Sequence, residues 1–132
     1  MTAMLDTKSA PTPGSMGKPL SKNDGTALAT PLNIEEFLAL FNVTMTCLDI
    51  SFAVNRACQF MQHPTSATCL QKWILRYLRG TQAHGITLTT ASNLHLGAFI
   101  DADWASNPDD RRSIGGYCVF LGDNIVSWSS TE

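Results

Sequence analysis

Two carboxylates, Asp101 and Asp103, close a short apolar run in the stretch AFIDADWASNPDDRRSIGGYCVFLG, residues 98–122. In an extended strand, side chains two residues apart share a face, so this spacing places both acids side by side at a strand end. Two such carboxylates can hold one cation of the magnesium type, which takes oxygen ligands and keeps several waters. Two-metal phosphodiester cleavage needs more acidic ligands, because two ions ~4 Å apart must be clamped and their charge offset. The plainer alternative is a pair of exposed acids where a hairpin turns. Asp109 and Asp110 are followed at once by Arg111 and Arg112, so their expected role is to settle loop charge.

A second set of residues with chemistry to offer is cationic. Lys72, Arg76 and Arg79 fall at i, i+4 and i+7 of a helical pattern and form one basic stripe. Such a stripe is either an ordinary solvated helix face or a surface that tracks the phosphates of a nucleic-acid backbone. The net charge of −2 supplies no global attraction to nucleic acid, so any basic surface must be local. Cys47, Cys58, Cys69 and Cys118 form no C-x-x-C pair, and small buried thiols in a reducing compartment are expected rather than a zinc site.

The elements that position these residues follow from the pattern of the chain. Residues 1–32 are rich in Pro, Gly, Ser and Thr and read as a flexible, linker-like segment. Asn33 and Glu36 fit a capping box, after which Phe37, Leu40, Phe41 and Thr44 recur at helical spacing. Asp49 is the expected cap of a second helix with Phe52, Ala53, Arg56, Ala57 and Phe60 on one face, broken at His63-Pro64. Thr65 or Ser66 starts a third helix, with Leu70, Trp73, Ile74, Tyr77 and Leu78 as its apolar face and Gly80 just past its end. The period then becomes alternating. Strands are expected over residues 85–89, 93–100, 116–121 and 125–128, with a tight turn at Gly122-Asp-Asn124. No secretory signal or membrane-length apolar run is visible, which makes cytosol or nucleus the expected location.

From about Lys18 to Trp128 the chain resembles the pol polyprotein of copia-type long-terminal-repeat retrotransposons. KPLSKNDGT, LDISFAVNRACQFMQHPT, WILRYLRGTQAHGI and the long block FIDADWASNPDDRRSIGGYCVFLGDNIVSWSS carry the resemblance. It implies an α+β chain: a helical reverse transcriptase thumb or connection remnant over 33–80, then an incomplete antiparallel ribonuclease H-like meander over 81–132. It further implies that Asp101 corresponds to the first metal-binding aspartate of ribonuclease H, a Mg2+ ligand in the intact domain, with Asp103 beside it in a D-A-D-W motif. Lys72, Arg76 and Arg79 then face a nucleic acid such as an RNA–DNA hybrid.

The polymerase's tyrosine-and-aspartate motif and the later ribonuclease H carboxylates have no counterpart in this chain, so a segment without catalysis of its own is expected, its acidic pair a vestige. The ending SWSSTE reads as a stop in the third strand or as a deletion junction, and on the second reading Glu132 matches the first, non-catalytic glutamate of the family motif. Cys47-Leu48 stands where Arg-Pro is common, and Ser113-Ile114-Gly115 where Ser-Thr-Ser is usual. Two other readings remain: a non-catalytic nucleic-acid-binding module, and a small interaction protein that offers its open sheet edge. A meander without covering helices also predicts marginal stability or self-association of the isolated chain.

Overall fold

The computed structural model describes residues 7–14, 20–28, 34–66, 70–90, 93–105 and 107–131. Two compact units divide the chain, Met1–Ala83 and His84–Glu132. Asn33, Cys69, Glu132 and the Glu36 side chain, and with them the capping box and the junction reading, lie outside the described residues.

The first unit is helical, with α1 over Ile34–Val43, a 3-10 turn over Leu48–Ile50, α2 over Ser51–Cys58 and α3 over Gln71–Gly80. Its core joins Leu40, Ile50, Ala53, Val54, Ala57, Leu70 and Ile74. The α3 face agrees with its sequence pattern. Of the positions expected on the apolar faces of the earlier helices, Leu40, Ala53, Ala57 and Phe60 are buried, but Phe41 and Phe52 are about half exposed and Val54 is buried as well.

Asp49 does not cap α2. The N-cap is Ile50, and the Asp49 carboxylate accepts a hydrogen bond from the Tyr77 hydroxyl on α3. That bond, with burial and the Asp49 charge, pushes the Tyr77 phenol up from 10.0 to about 12. The fold therefore favours the protonated phenol, so its contribution is complete below pH 10.0 and is lost as pH rises toward about 12. Tyr77→Phe is expected to cost about 1 kcal/mol at neutral pH. It should also flatten the alkaline limb of urea stability curves, and an unchanged limb would show that Tyr77 does not carry it.

Neither Thr65 nor Ser66 starts α3, whose helical turns begin at Gln71. Both are tied to an earlier segment. The Thr65 hydroxyl donates to the Asp24 carbonyl at 2.6 Å, and the Ser66 amide donates to the Thr26 carbonyl at 2.9 Å. A hydroxyl spent on another stretch of chain cannot cap a helix. Gly80 is the last helical residue rather than a left-handed cap, and Thr81 closes the helix through its hydroxyl on the Tyr77 carbonyl at 3.1 Å. The glycine answers a different need. A Cβ there would stand 2.9 Å from the Cβ of Ser9.

The second unit is a three-stranded antiparallel sheet in the order β1-β2-β3, over Leu96–Ala102, Gly115–Leu121 and Asn124–Thr131. The chain is thus α+β. Leu121 pairs with Asn124 across a two-residue turn in which Gly122 takes φ 60, a left-handed conformation glycine adopts without a Cβ penalty. Residues 85–89 join no strand, contrary to the alternating pattern. They are tied to the sheet through the Asn124 side chain, which accepts from the Thr89 amide at 2.7 Å and donates to its carbonyl at 2.8 Å. An amide side chain thereby stands in for one strand residue.

Candidate functional site

Asp101 and Asp103 are brought to the same end of β1 but are used differently. Asp101 lies in the strand opposite Gly116, and Asp103 follows one residue past the strand end. The Asp103 amide donates to the Ile114 carbonyl at 3.1 Å, and the Gly122 amide to the His95 carbonyl at 2.8 Å. These bonds place the odd-numbered residues of β1 in the inner, hydrogen-bonded positions and turn the amide of Ala102 toward the open edge. The Asp101 carboxylate folds over that edge and accepts the Ala102 amide at 3.0 Å.

Asp103 closes the ladder. Where a continuing strand would offer its own carbonyl, the Asp103 carboxylate accepts the Ile114 amide at 2.8 Å. Ile114 is itself buried, so this donor has little access to water. The following loop is organised from within. The Ala105 amide donates to the Ser113 hydroxyl at 2.9 Å, and the Asp109 amide to the Asn107 side chain at 2.9 Å. Asp110 and Arg112 pair at 3.3 Å, both well exposed, and Arg111 lies over the Trp104 ring at 5.5 Å. The loop charge is settled locally, at small energetic gain for an exposed pair.

Oxygen donors of this kind suit Mg2+, but each carboxylate already holds a backbone amide, and two ligands serve one ion at most. Among the described residues no group of three His, Cys, Asp or Glu side chains gathers at any point. Cys47, Cys58 and Cys118 are free thiols, each half-buried, and burial pushes the Cys58 thiol up.

The basic stripe lies in the helical unit. Lys72 and Arg79 are exposed, and Arg76 is half-buried with its guanidinium 5.5 Å from the centre of the Trp73 ring. An element not foreseen from the pattern lies along it. Residues 7–14 run beside α3, where Arg76 Nε donates to the Lys8 carbonyl at 2.6 Å and Arg79 Nη1 to the Thr7 carbonyl at 2.7 Å. Trp73 Nε1 donates to the Thr12 carbonyl at 2.8 Å, and the amide of Ala10 to the Arg76 carbonyl at 3.3 Å. Ala10 is buried there. Nothing in the residue types of 7–14 marks this course, because the acceptors that hold it are backbone carbonyls, which every residue carries.

No protein-family model and no solved structure matches the chain. Among known proteins it is 43% identical over 132 residues to the mitochondrial protein AtMg00810 of Arabidopsis thaliana, covering 96% of this chain and 53% of that one. It is 44% identical over 133 residues to the retrovirus-related Pol polyprotein from transposon RE1 of the same plant, and 41% identical to that from transposon RE2. Each of these alignments covers 99% of this chain but 9% of the polyprotein. The chain therefore spans about half of the first relative and a small part of the other two. At such identity over nearly its whole length, the chain is similar to one segment of retrotransposon Pol polyproteins, consistent with a copia-type pol fragment.

Proposed function

We propose that the chain is the part of a pol polyprotein that joins the end of the reverse transcriptase to the first strands of a ribonuclease H-like domain. On this reading it binds nucleic acid, an RNA–DNA hybrid in the first instance, through Lys72, Arg76 and Arg79, and does not cleave it alone. In the complete polyprotein the region serves RNA-directed DNA synthesis and removal of the RNA strand from hybrids. There Asp101 would hold Mg2+, with Asp103 holding the strand end beside it, and the bound ion would supply polarisation of the scissile phosphodiester.

The observation that supports the reading is the match of nearly this whole chain, D-A-D-W block and basic helix included, to a short segment of two Pol polyproteins. The open outer edge of β1 also offers backbone pairing to a second copy of the chain.

The test pairs cleavage with binding. Labelled RNA–DNA hybrid is expected to stay intact with the wild type and with Asp101→Asn, in magnesium or manganese. Cutting by the wild type that Asp101→Asn abolishes would overturn the claim of inactivity. Binding is expected to weaken with salt, and replacing Arg76 and Arg79 together by Ala should lower the salt slope by about 2, one for each phosphate no longer engaged. Equal binding by the double variant would remove the phosphate-contacting role.

A further inference from the structure

We infer that residues 7–14 form an intramolecular cover on α3 that competes with nucleic-acid phosphates for Arg76 and Arg79; the inference rests on the phosphate-binding role proposed above. Two backbone carbonyls occupy the two guanidinium groups, Lys8 on Arg76 at 2.6 Å and Thr7 on Arg79 at 2.7 Å. The same face of the helix holds the cover at two further points, Trp73 on the Thr12 carbonyl and the amide of Ala10 on the Arg76 carbonyl. A carbonyl oxygen is the neutral counterpart of a phosphate oxygen. Both accept from a guanidinium, but the charged acceptor makes the stronger bond. An approaching backbone therefore gains at Arg76 and Arg79 what the carbonyls give up, and the cost of binding is release of the Ala10 and Thr12 anchors. Lys72, exposed one turn before Arg76, is placed to meet a phosphate first.

Gly80 supplies a handle on the cover that leaves the three cations untouched. It is exposed, lies in helical backbone and sits against Ser9, where an added Cβ would come within 2.9 Å of the Ser9 Cβ. Alanine favours a helix over glycine, so Gly80→Ala should keep α3 and push residues 7–14 away. Ala10→Gln is a second route, because Ala10 is 5% exposed and a longer polar side chain does not fit beneath the cover.

The experiment measures binding of a fluorescent RNA–DNA hybrid by anisotropy and tryptic cleavage after Lys8, on the full chain. Both variants are expected to speed cleavage after Lys8 and to tighten binding. The gain is about tenfold if the cover is closed about 90% of the time, since apparent affinity scales with the open fraction. Saturating hybrid should likewise speed cleavage after Lys8 in the wild type. Faster cleavage with unchanged affinity, while Arg76→Ala with Arg79→Ala still weakens binding, overturns the cover and leaves the phosphate role standing. If neither variant speeds cleavage, the segment is not displaceable and the inference falls. If the arginine variants bind like the wild type, the phosphate role itself fails and takes the cover with it.

Discussion

Ile74→Ala is expected to remove the cooperative unfolding transition of the helical unit. Ile74 is fully buried in α3 and, with Leu70 just before the helix, shares the core with Ile50, Val54 and Ala57. Truncating a buried isoleucine costs about 2–5 kcal/mol, from lost transfer energy plus the cavity left behind. Whole domains are stable by only about 5–15 kcal/mol, and small ones sit at the low end. The loss therefore takes most of what this unit has. Far-UV circular dichroism against urea should show a broad, early loss of helix, while the amides of β2, in the separate sheet unit, keep their protection from hydrogen exchange. A variant with the wild-type midpoint would mean that Ile74 is not central to the core.

The second large effect separates the two aspartates. Asp103→Ala strips the Ile114 amide of its acceptor beneath a buried side chain, and an unsatisfied donor of this kind costs about 1–3 kcal/mol. Asp103→Asn keeps an oxygen in the same place and should recover most of the loss. Asp101→Ala frees an amide at the open edge of β1, where water replaces the carboxylate, and should stay within about 0.5 kcal/mol of the wild type. Urea midpoints of the sheet unit, followed by exchange of the Ile114 amide, measure all three. Equal losses for Asp101→Ala and Asp103→Ala would contradict the assignment of the ladder-closing bond to Asp103.

Much of this architecture was legible in the residues, and the exceptions have physical causes. The apolar face of α3 was clear because one phase of the helical period accounts for all five positions. In and just after α2 the positions of Ala53, Ala57 and Phe60 were legible, whereas the choice of Val54 over Phe52 is made by a core shared with Leu40 and Ile74, which no local pattern records. Asp101 and Asp103 were readable as a pair at a strand end. That one of them replaces a backbone carbonyl depends on where the strand stops, which a spacing of two does not specify. Residues 85–89 alternate as a strand does, yet the Asn124 side chain takes the position of a partner strand beside Thr89. The course of residues 7–14 was the least legible, because carbonyl acceptors are the same in every residue type and leave no mark in composition.

The two borders of the sheet differ in a way that limits growth. Along β3 the register slips between Val119, opposite Ser127, and Phe120, opposite Ile125, so Val126 is left without an opposite residue. A bulge on a border strand bends it and sharpens its twist, which spoils it as a template for a further chain. β1 keeps an unbroken register from Leu96 to Ala102. Apart from the Ala102 amide held by Asp101, the β1 border is thus the more receptive of the two, so any pairing along this sheet is expected to run through β1, and β1 against β1 would close a pair rather than lengthen a fibre.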